Sequence, residues 1–201
     1  MWKTVVLLLV TIVIVPIAGF YFSEPLNDLQ WTTVKELAII YLIAGISCFA
    51  VSTLAKNYSQ VDKLWSIIPI AYVWFAAYRG DFEPRLILMS TMVTIWGARL
   101  TYNFSRRGGY SWKFWTGDED YRWAILQARP EFSNPLVWGI FNLLFISLYQ
   151  MGLILLFTLP IVKSMGGGPL AWADYLCAAG IIFFVILETI ADQQQWNYQK
   201  E

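Results

Sequence analysis

Apolar runs close to twenty residues long recur along this chain, and no other feature restricts its fold so much. A run of that length, wound as a helix rising about 1.5 Å per residue, covers the roughly 30 Å of a bilayer's hydrocarbon layer. Of 201 residues, 58% are hydrophobic and 14% charged, which is the balance of a polytopic membrane protein. The expectation is an all-α fold, a polytopic transmembrane helical bundle forming a single integral membrane domain over residues 1–201.

Six segments are predicted. The first, 4–22, follows Lys3 and contains Pro16 without a clean small-residue cleavage site, so it reads as an uncleaved span and not a signal peptide. The second, 34–55, carries Gly45, Ser47 and Ser52, small residues that let helices approach closely. The third, 64–78, is short, holds Pro69, and offers Trp65, Tyr72, Trp74 and Tyr78 as interface anchors or cavity walls. The fourth is 86–104, the fifth 136–159 closed by Pro160, and the sixth runs from 171 to about 195. With the N-terminus inside, Lys3, Lys56, Lys63, Arg106, Arg107, Lys113, Arg122, Arg129 and Lys200 lie on the inner side, nine basic residues against Lys35, Arg79, Arg85 and Lys163, four, outside. That bias predicts both termini in the cytoplasm.

The longest connection, 105–135, is then a cytoplasmic loop. Gly108 and Gly109 end the fourth helix, and 118–128 reads as a short amphipathic helix with Trp115, Tyr121 and Trp123 at the membrane surface. The Gly166-Gly167-Gly168-Pro169 turn on the far side reads as a connector, since nothing around it suits a phosphate.

Several chemistries are excluded. The chain has no histidine, so triad hydrolysis, zinc-protease motifs and histidine relays are absent. Its two cysteines, Cys48 and Cys177, lie in apolar runs and read as buried small hydrophobes, with no metal site expected. Net charge is zero with no basic tract, and no nucleic-acid partner is expected.

Polar residues inside the spans carry the functional signal. Arg99, Tyr102, Asn103 and Arg106 share one face of the fourth segment at i, i+3, i+4 and i+7. Arginine in hydrocarbon costs at least a few kcal/mol, so this face should meet protein or a wet cavity. Arg99 sits seven residues from the end of its helix, roughly 10 Å at 1.5 Å per residue. Glu188 lies at a similar depth on the sixth segment, and its face continues through Asp192 and Gln195. The two charges are expected to pair, directly or through a ligand. Asn142, Tyr149 and Gln150 of the fifth segment, and Tyr58, Gln60, Asp62 and Lys63 ahead of the third, are expected to join them around one pocket open to the cytoplasm. Arg106 has the planar fork that suits a phosphate. The competing reading makes all these groups helix-packing glue and interface anchors.

Four blocks give a more specific expectation: Q-V-D-K-L-W-S-I-I-P at 60–69, R-L-T-Y-N-F with R-R-G-G-Y over 99–110, D-Y-R-W at 120–123, and E-T-I-A-D-Q-Q-Q at 188–195. In order and spacing the chain resembles the steroid 5-alpha-reductase-like (3-oxo-5-alpha-steroid 4-dehydrogenase-like) membrane proteins, in a bacterial-type branch of uncharacterised function. The resemblance implies a cavity that takes NADPH and a lipid or steroid-like enone, with hydride passing to the carbon–carbon double bond and an acidic or phenolic donor polarising the carbonyl. It implies that Asp192 contacts the cofactor and that Arg106 or Arg107 lies near its phosphates, with Arg99, Asn103 and Gln195 on the same side. Asp62, Tyr102 and Glu188 are the candidates for the catalytic donor. Members of the family continue with a further membrane segment and a Ser-Arg-His-Pro-Asn-Tyr-like motif, so the expectation is either a fragment or split product, or a shortened homologue that does not close its nucleotide pocket alone. A lipid methyltransferase using S-adenosylmethionine, of the isoprenylcysteine methyltransferase-like kind, resembles the same superfamily and is the alternative enzyme; a non-catalytic membrane protein is the third reading. The membrane is the plasma membrane in a bacterium and the endoplasmic reticulum in a eukaryote.

Overall fold

The computed structural model describes residue 10, residues 14–22 and residues 24–199. Most of the first predicted span lies outside the described residues; its last part is helix α1, Val15–Phe22. Every regular element among the described residues is helical. They are α2 (Asp28–Ala55), α3 (Gln60–Leu64), α4 (Ile68–Arg79), α5 (Pro84–Arg106), α6 (Tyr121–Gln127), α7 (Pro135–Lys163) and α8 (Trp172–Tyr198). Among the described residues, α2, α7 and α8 are long and apolar enough to cross a membrane. Helix α5 has the length, but its polar last turns dilute its apolar character. Helix α4, with 12 residues, reaches only about 18 Å.

Helix starts follow local chemistry. Asn27 and Gln30 form a reciprocal capping box that begins α2 ahead of the expected position 34. Pro69, expected inside the third segment, instead stands in the first turn of α4, where its missing N–H costs nothing. Pro160, expected to close the fifth segment, opens a last short turn of α7. Within α7 the stretch Asn142–Tyr149 is π-helical. Asp120 caps α6 by accepting from the Arg122 N–H.

The core lies among α2, α4, α5 and α7. Tyr72, Ala76, Leu86, Met151 and Ile154 are fully buried there. Helix α4 packs on both α5 and α7, whereas α5 and α7 share little contact with each other. At Gly97, α5 comes against the backbone just ahead of α4: a Cβ there would stand 2.6 Å from the Ser66 carbonyl oxygen. Trp123, expected at the membrane surface, is instead buried in a second cluster with Trp138 and Ile146. The ring packs against Trp138 and Ile146 of α7, so protein and not lipid covers it. Tyr121 remains exposed.

Helix α8 stands apart from that core and packs mainly on α5. At one end the Arg85 guanidinium donates to both carboxylate oxygens of Asp174, at 2.9 and 3.0 Å, and to the carbonyls of Gly167 and Pro169. Fourteen residues further along both helices, Arg99 meets Glu188. Fourteen residues are almost four turns, which returns to the same face, so the two helices run side by side in one direction.

Candidate functional site

A cavity of about 880 Å³ opens where α3, α5, α6, α7 and the loop after α5 meet. Its size suits a small ligand. Asp62 of α3 and the turn residues Trp65 and Ser66 form one side, Leu100 and Phe104 of α5 a second, and Phe145 and Gln150 of α7 a third. The loop closes it with Gly109 and the acidic run 118–120, beside Trp123 of α6. Gly108 permits the turn that brings the loop back, with φ of 87°.

Asp62 is the chemically notable group. Its Oδ2 atom is buried and makes no hydrogen bond of good geometry. Burial pushes its carboxyl above the usual aspartate value; the Asp120 charge adds to the rise, while hydrogen bonding from the Ser59 hydroxyl and the Trp123 indole and the Arg122 charge oppose it. A carboxyl whose protonated form is favoured by burial in a cavity wall can, when it carries the proton, donate a hydrogen bond or the proton to an oxygen on a ligand.

The loop wall is fixed by side chains from residues 57–63. Lys63 is 5% exposed, and its Nζ donates to the carbonyls of Thr116 at 2.6 Å and Phe114 at 3.1 Å, and to Gln60 Oε1 at 3.3 Å. Gln60 donates to the Trp115 carbonyl and Asn57 to that of Gly117. Four successive carbonyls are thus satisfied by three side chains. Tyr110 returns a hydroxyl to the Lys63 carbonyl at 2.7 Å, and Ser59 accepts from the Asp120 N–H. Burial pushes the Lys63 amine below the usual lysine value, against the upward pull of Asp62.

The charges of α5 and α8 form a separate cluster. Arg99 Nη1 lies 3.1 Å from Glu188 Oε2 and 3.1 Å from Asp192 Oδ2. The Arg99 side chain is 15% exposed and that of Glu188 51%. Each nitrogen of the Arg106 guanidinium has a partner: Nε donates to Asn103 at 2.8 Å, Nη1 to Gln193 at 2.9 Å and Nη2 to the Asp192 carbonyl at 3.0 Å, with the guanidinium over the Trp196 ring.

The expected pairing of Arg99 with Glu188 is therefore present, with Asp192 as a third member. The expected single pocket is not. Asp62, Gln150 and Arg107 line the cavity, while Arg99, Asn103, Arg106, Glu188 and Asp192 lie along the seam with α8. The reason is angular: residues 100, 104 and 107 sit about 100° round α5 from residues 99, 103 and 106. Asn142 lies elsewhere again, buried against Ser52 and Thr53 of α2. Tyr102 and Gln195 are exposed, and neither borders the cavity. Lys63 as the loop's anchor was not foreseen; its place in the polar run 57–63 was the available signal.

The nicotinamide nucleotide implied by resemblance can be tested against these residues. Its phosphates need free cationic donors. Arg106 has spent its fork within the protein, Arg99 is shared by two carboxylates, and Arg122 is paired with Asp120 at 2.5 Å. Arg107 alone at the cavity is offset by the acidic run 118–120. These residues do not fit the phosphates, and the cavity suits a neutral ligand better. No group of three or more cysteine and acidic side chains among the described residues is placed to hold a metal.

No solved structure matches this chain. An uncharacterised protein of Schizosaccharomyces pombe is 36% identical over 168 residues, covering 80% of this chain and 46% of the relative. The chain thus spans about half the length of the curated relative it matches. Residues 48–201 match the family described as a protein of unknown function, DUF1295, and that stretch holds the cavity, the loop wall and the α5–α8 seam. The chain belongs to the DUF1295 family.

Proposed function

We propose that this protein is a membrane-embedded reductase homologue whose cavity binds a lipid or steroid-like enone, with Asp62 as the acid that polarises the conjugated carbonyl. The observation that carries the reading is the buried Asp62 oxygen, without a well-formed hydrogen bond, in the wall of a cavity that suits a neutral ligand. The resemblance implies NADPH as the hydride donor, but the residues described offer its phosphates no cradle. Asp62 takes the catalytic role over Glu188, whose carboxylate is held by Arg99, and over Tyr102, which lies outside the cavity.

The six-crossing topology with both termini cytoplasmic belongs to the same reading. The like direction of α5 and α8 and the excess of basic residues at the loop end support it. The cavity would then open to the cytoplasm at headgroup depth. For the α5–α8 seam itself, one observation favours a structural role: Arg99 and Arg106 find their partners inside the protein.

Binding tests the assignment directly. A neutral enone, followed through the fluorescence of Trp65 and Trp123, should bind the wild-type protein and the Asp62→Asn variant comparably, since the amide still donates. Asp62→Leu should bind about ten-fold more weakly, the loss of one buried hydrogen bond. Equal binding by Asp62→Leu would refute the role given to Asp62.

A further inference from the structure

A second, almost wholly apolar crevice of about 290 Å³ lies further along the same helices. Met89, Met92, Val93 and Trp96 of α5 face it, opposite Phe157 and Ile161 of α7. On α5 these positions continue through Leu100, Phe104 and Arg107 of the first cavity. Spaced by three or four residues, they form a single stripe of the helix. Crevice and cavity therefore lie in line along one face of α5, as the two ends of one candidate groove. Its walls are α5 and α7, whose backbones share little contact, with Ile181 of α8 beside the crevice, and its floor is α4, which packs on both and contributes Val73 to one end and follows Trp65 and Ser66 at the other. Trp96 and Phe157 meet edge to face across it, 6.2 Å between centroids.

We infer that this groove binds an extended hydrocarbon chain, so that the ligand of the cavity is a long-chain amphipathic lipid: its carbonyl end beside Asp62, its tail lying along α5 as far as Met89. The inference rests on the proposed function for the identity of the polar end; the tail is argued from the groove. From Leu100 to Met89 the helix rises about 17 Å, close to the half-thickness of a hydrocarbon core of roughly 30 Å. The polar groups are confined to the end where headgroups lie, and the far end is bounded by side chains alone. A compact polar molecule would leave the crevice empty. A chain spanning one leaflet fills both parts and enters sideways between α5 and α7 without leaving the lipid. Met89 and Met92 suit that task, because flexible thioethers adapt to chains of differing shape.

Photolabelling in detergent or lipid discs reads the two ends separately. The probes are a straight-chain α,β-unsaturated ketone bearing a diazirine at the tail end and its isomer bearing the diazirine beside the carbonyl. The tail probe should label Met89, Met92, Trp96 or Ile181, and the head probe Trp65, Phe104 or Trp123. Unlabelled ketone at about ten times its dissociation constant should cut both about ten-fold. Met92→Trp should abolish tail labelling of Met89 while head labelling persists. Head labelling in the cavity with tail labelling scattered over the outward residues of α8, such as Phe183 and Phe184, would overturn the inference and leave the proposed function standing. Competed tail labelling with no head labelling near Asp62 would overturn the proposed function and leave the groove. Uncompeted labelling at both ends would overturn both.

Discussion

Replacing Lys63 by methionine isolates what holds the cavity's wall. Methionine keeps most of the unbranched stem but donates nothing, so the carbonyls of Phe114 and Thr116 lose their shared partner. A hydrogen bond to a charged donor contributes about 1.5–3 kcal/mol and a neutral one about 1. Both carbonyls are only part-buried, and water takes up some of the loss. Relief from burying an ammonium offsets more. A net cost of about 2–3 kcal/mol follows, and it falls on the loop, because Gln60 and Asn57 still hold Trp115 and Gly117. Such a cost raises the open population of the loop about 30- to 150-fold. Trypsin reads this at Lys113, an exposed residue within the loop. Under conditions where cleavage is slow relative to reclosing, its rate follows the open population. Cleavage after Lys113 should therefore accelerate by that factor, while cleavage after Lys163, at the opposite end of the protein, stays unchanged. An unchanged rate at Lys113 would refute the clamp, and equal acceleration at both sites would show a global loss of stability instead.

Asp62→Asn should raise thermal stability at neutral pH, because folding there holds buried a carboxylate that favours its neutral form. With the folded value raised, the wild-type carboxyl is tolerated at acid pH and penalised as pH rises through that value, so the gap should shrink toward pH ~4, near the unperturbed aspartate value. A gap that widens on acidification would contradict the burial argument. Arg99→Met should cost about 1–2 kcal/mol in denaturant unfolding, since it leaves Glu188 and Asp192 facing each other without a cation while both carboxylates keep some solvent. Glu188→Gln alone should cost about 1 kcal/mol or less, as its carboxylate is half exposed and Asp192 still neutralises Arg99. Gly97→Ala should cost about 1–3 kcal/mol by driving a methyl into the Ser66 carbonyl and parting α4 from α5. A neutral result there would mean that the two helices separate freely.

The sequence made the intramembrane charges conspicuous, and that is why Arg99 and Glu188 could be paired in advance: a charge within an apolar helix has few acceptable surroundings. Depth along a helix follows from counting residues, but the direction a face points depends on which neighbour packs against it. Arg106 therefore stood at the expected level and met α8 instead of a ligand. The anchoring of residues 114–117 by Asn57, Gln60 and Lys63 was out of reach for a different reason. Backbone carbonyls carry no mark in a sequence, so nothing in the loop advertises its partners. Trp123 was misplaced because an aromatic on a short amphipathic helix fits a lipid surface and a protein interior equally well, and only the path of the chain decides.

The wide turn in α7 has an arithmetic consequence. Over Asn142–Tyr149 the helix carries more residues per turn than an α-helix, and the rings of Phe141, Phe145 and Tyr149 stack in a column along it, with spacings of 5.0 and 5.3 Å. A π-helical turn holds more residues than the α-helical turn it replaces, so removing a single residue there would let ordinary helical pairing run straight through while Met151 and Ile154 kept close to their present direction. Removing one residue from the α-helical stretch that follows would instead swivel everything beyond it by about 100°. The wide stretch is thus the place where α7 can shed a residue without turning its interior face outward, and what would suffer is the alignment of the ring column beside the cavity.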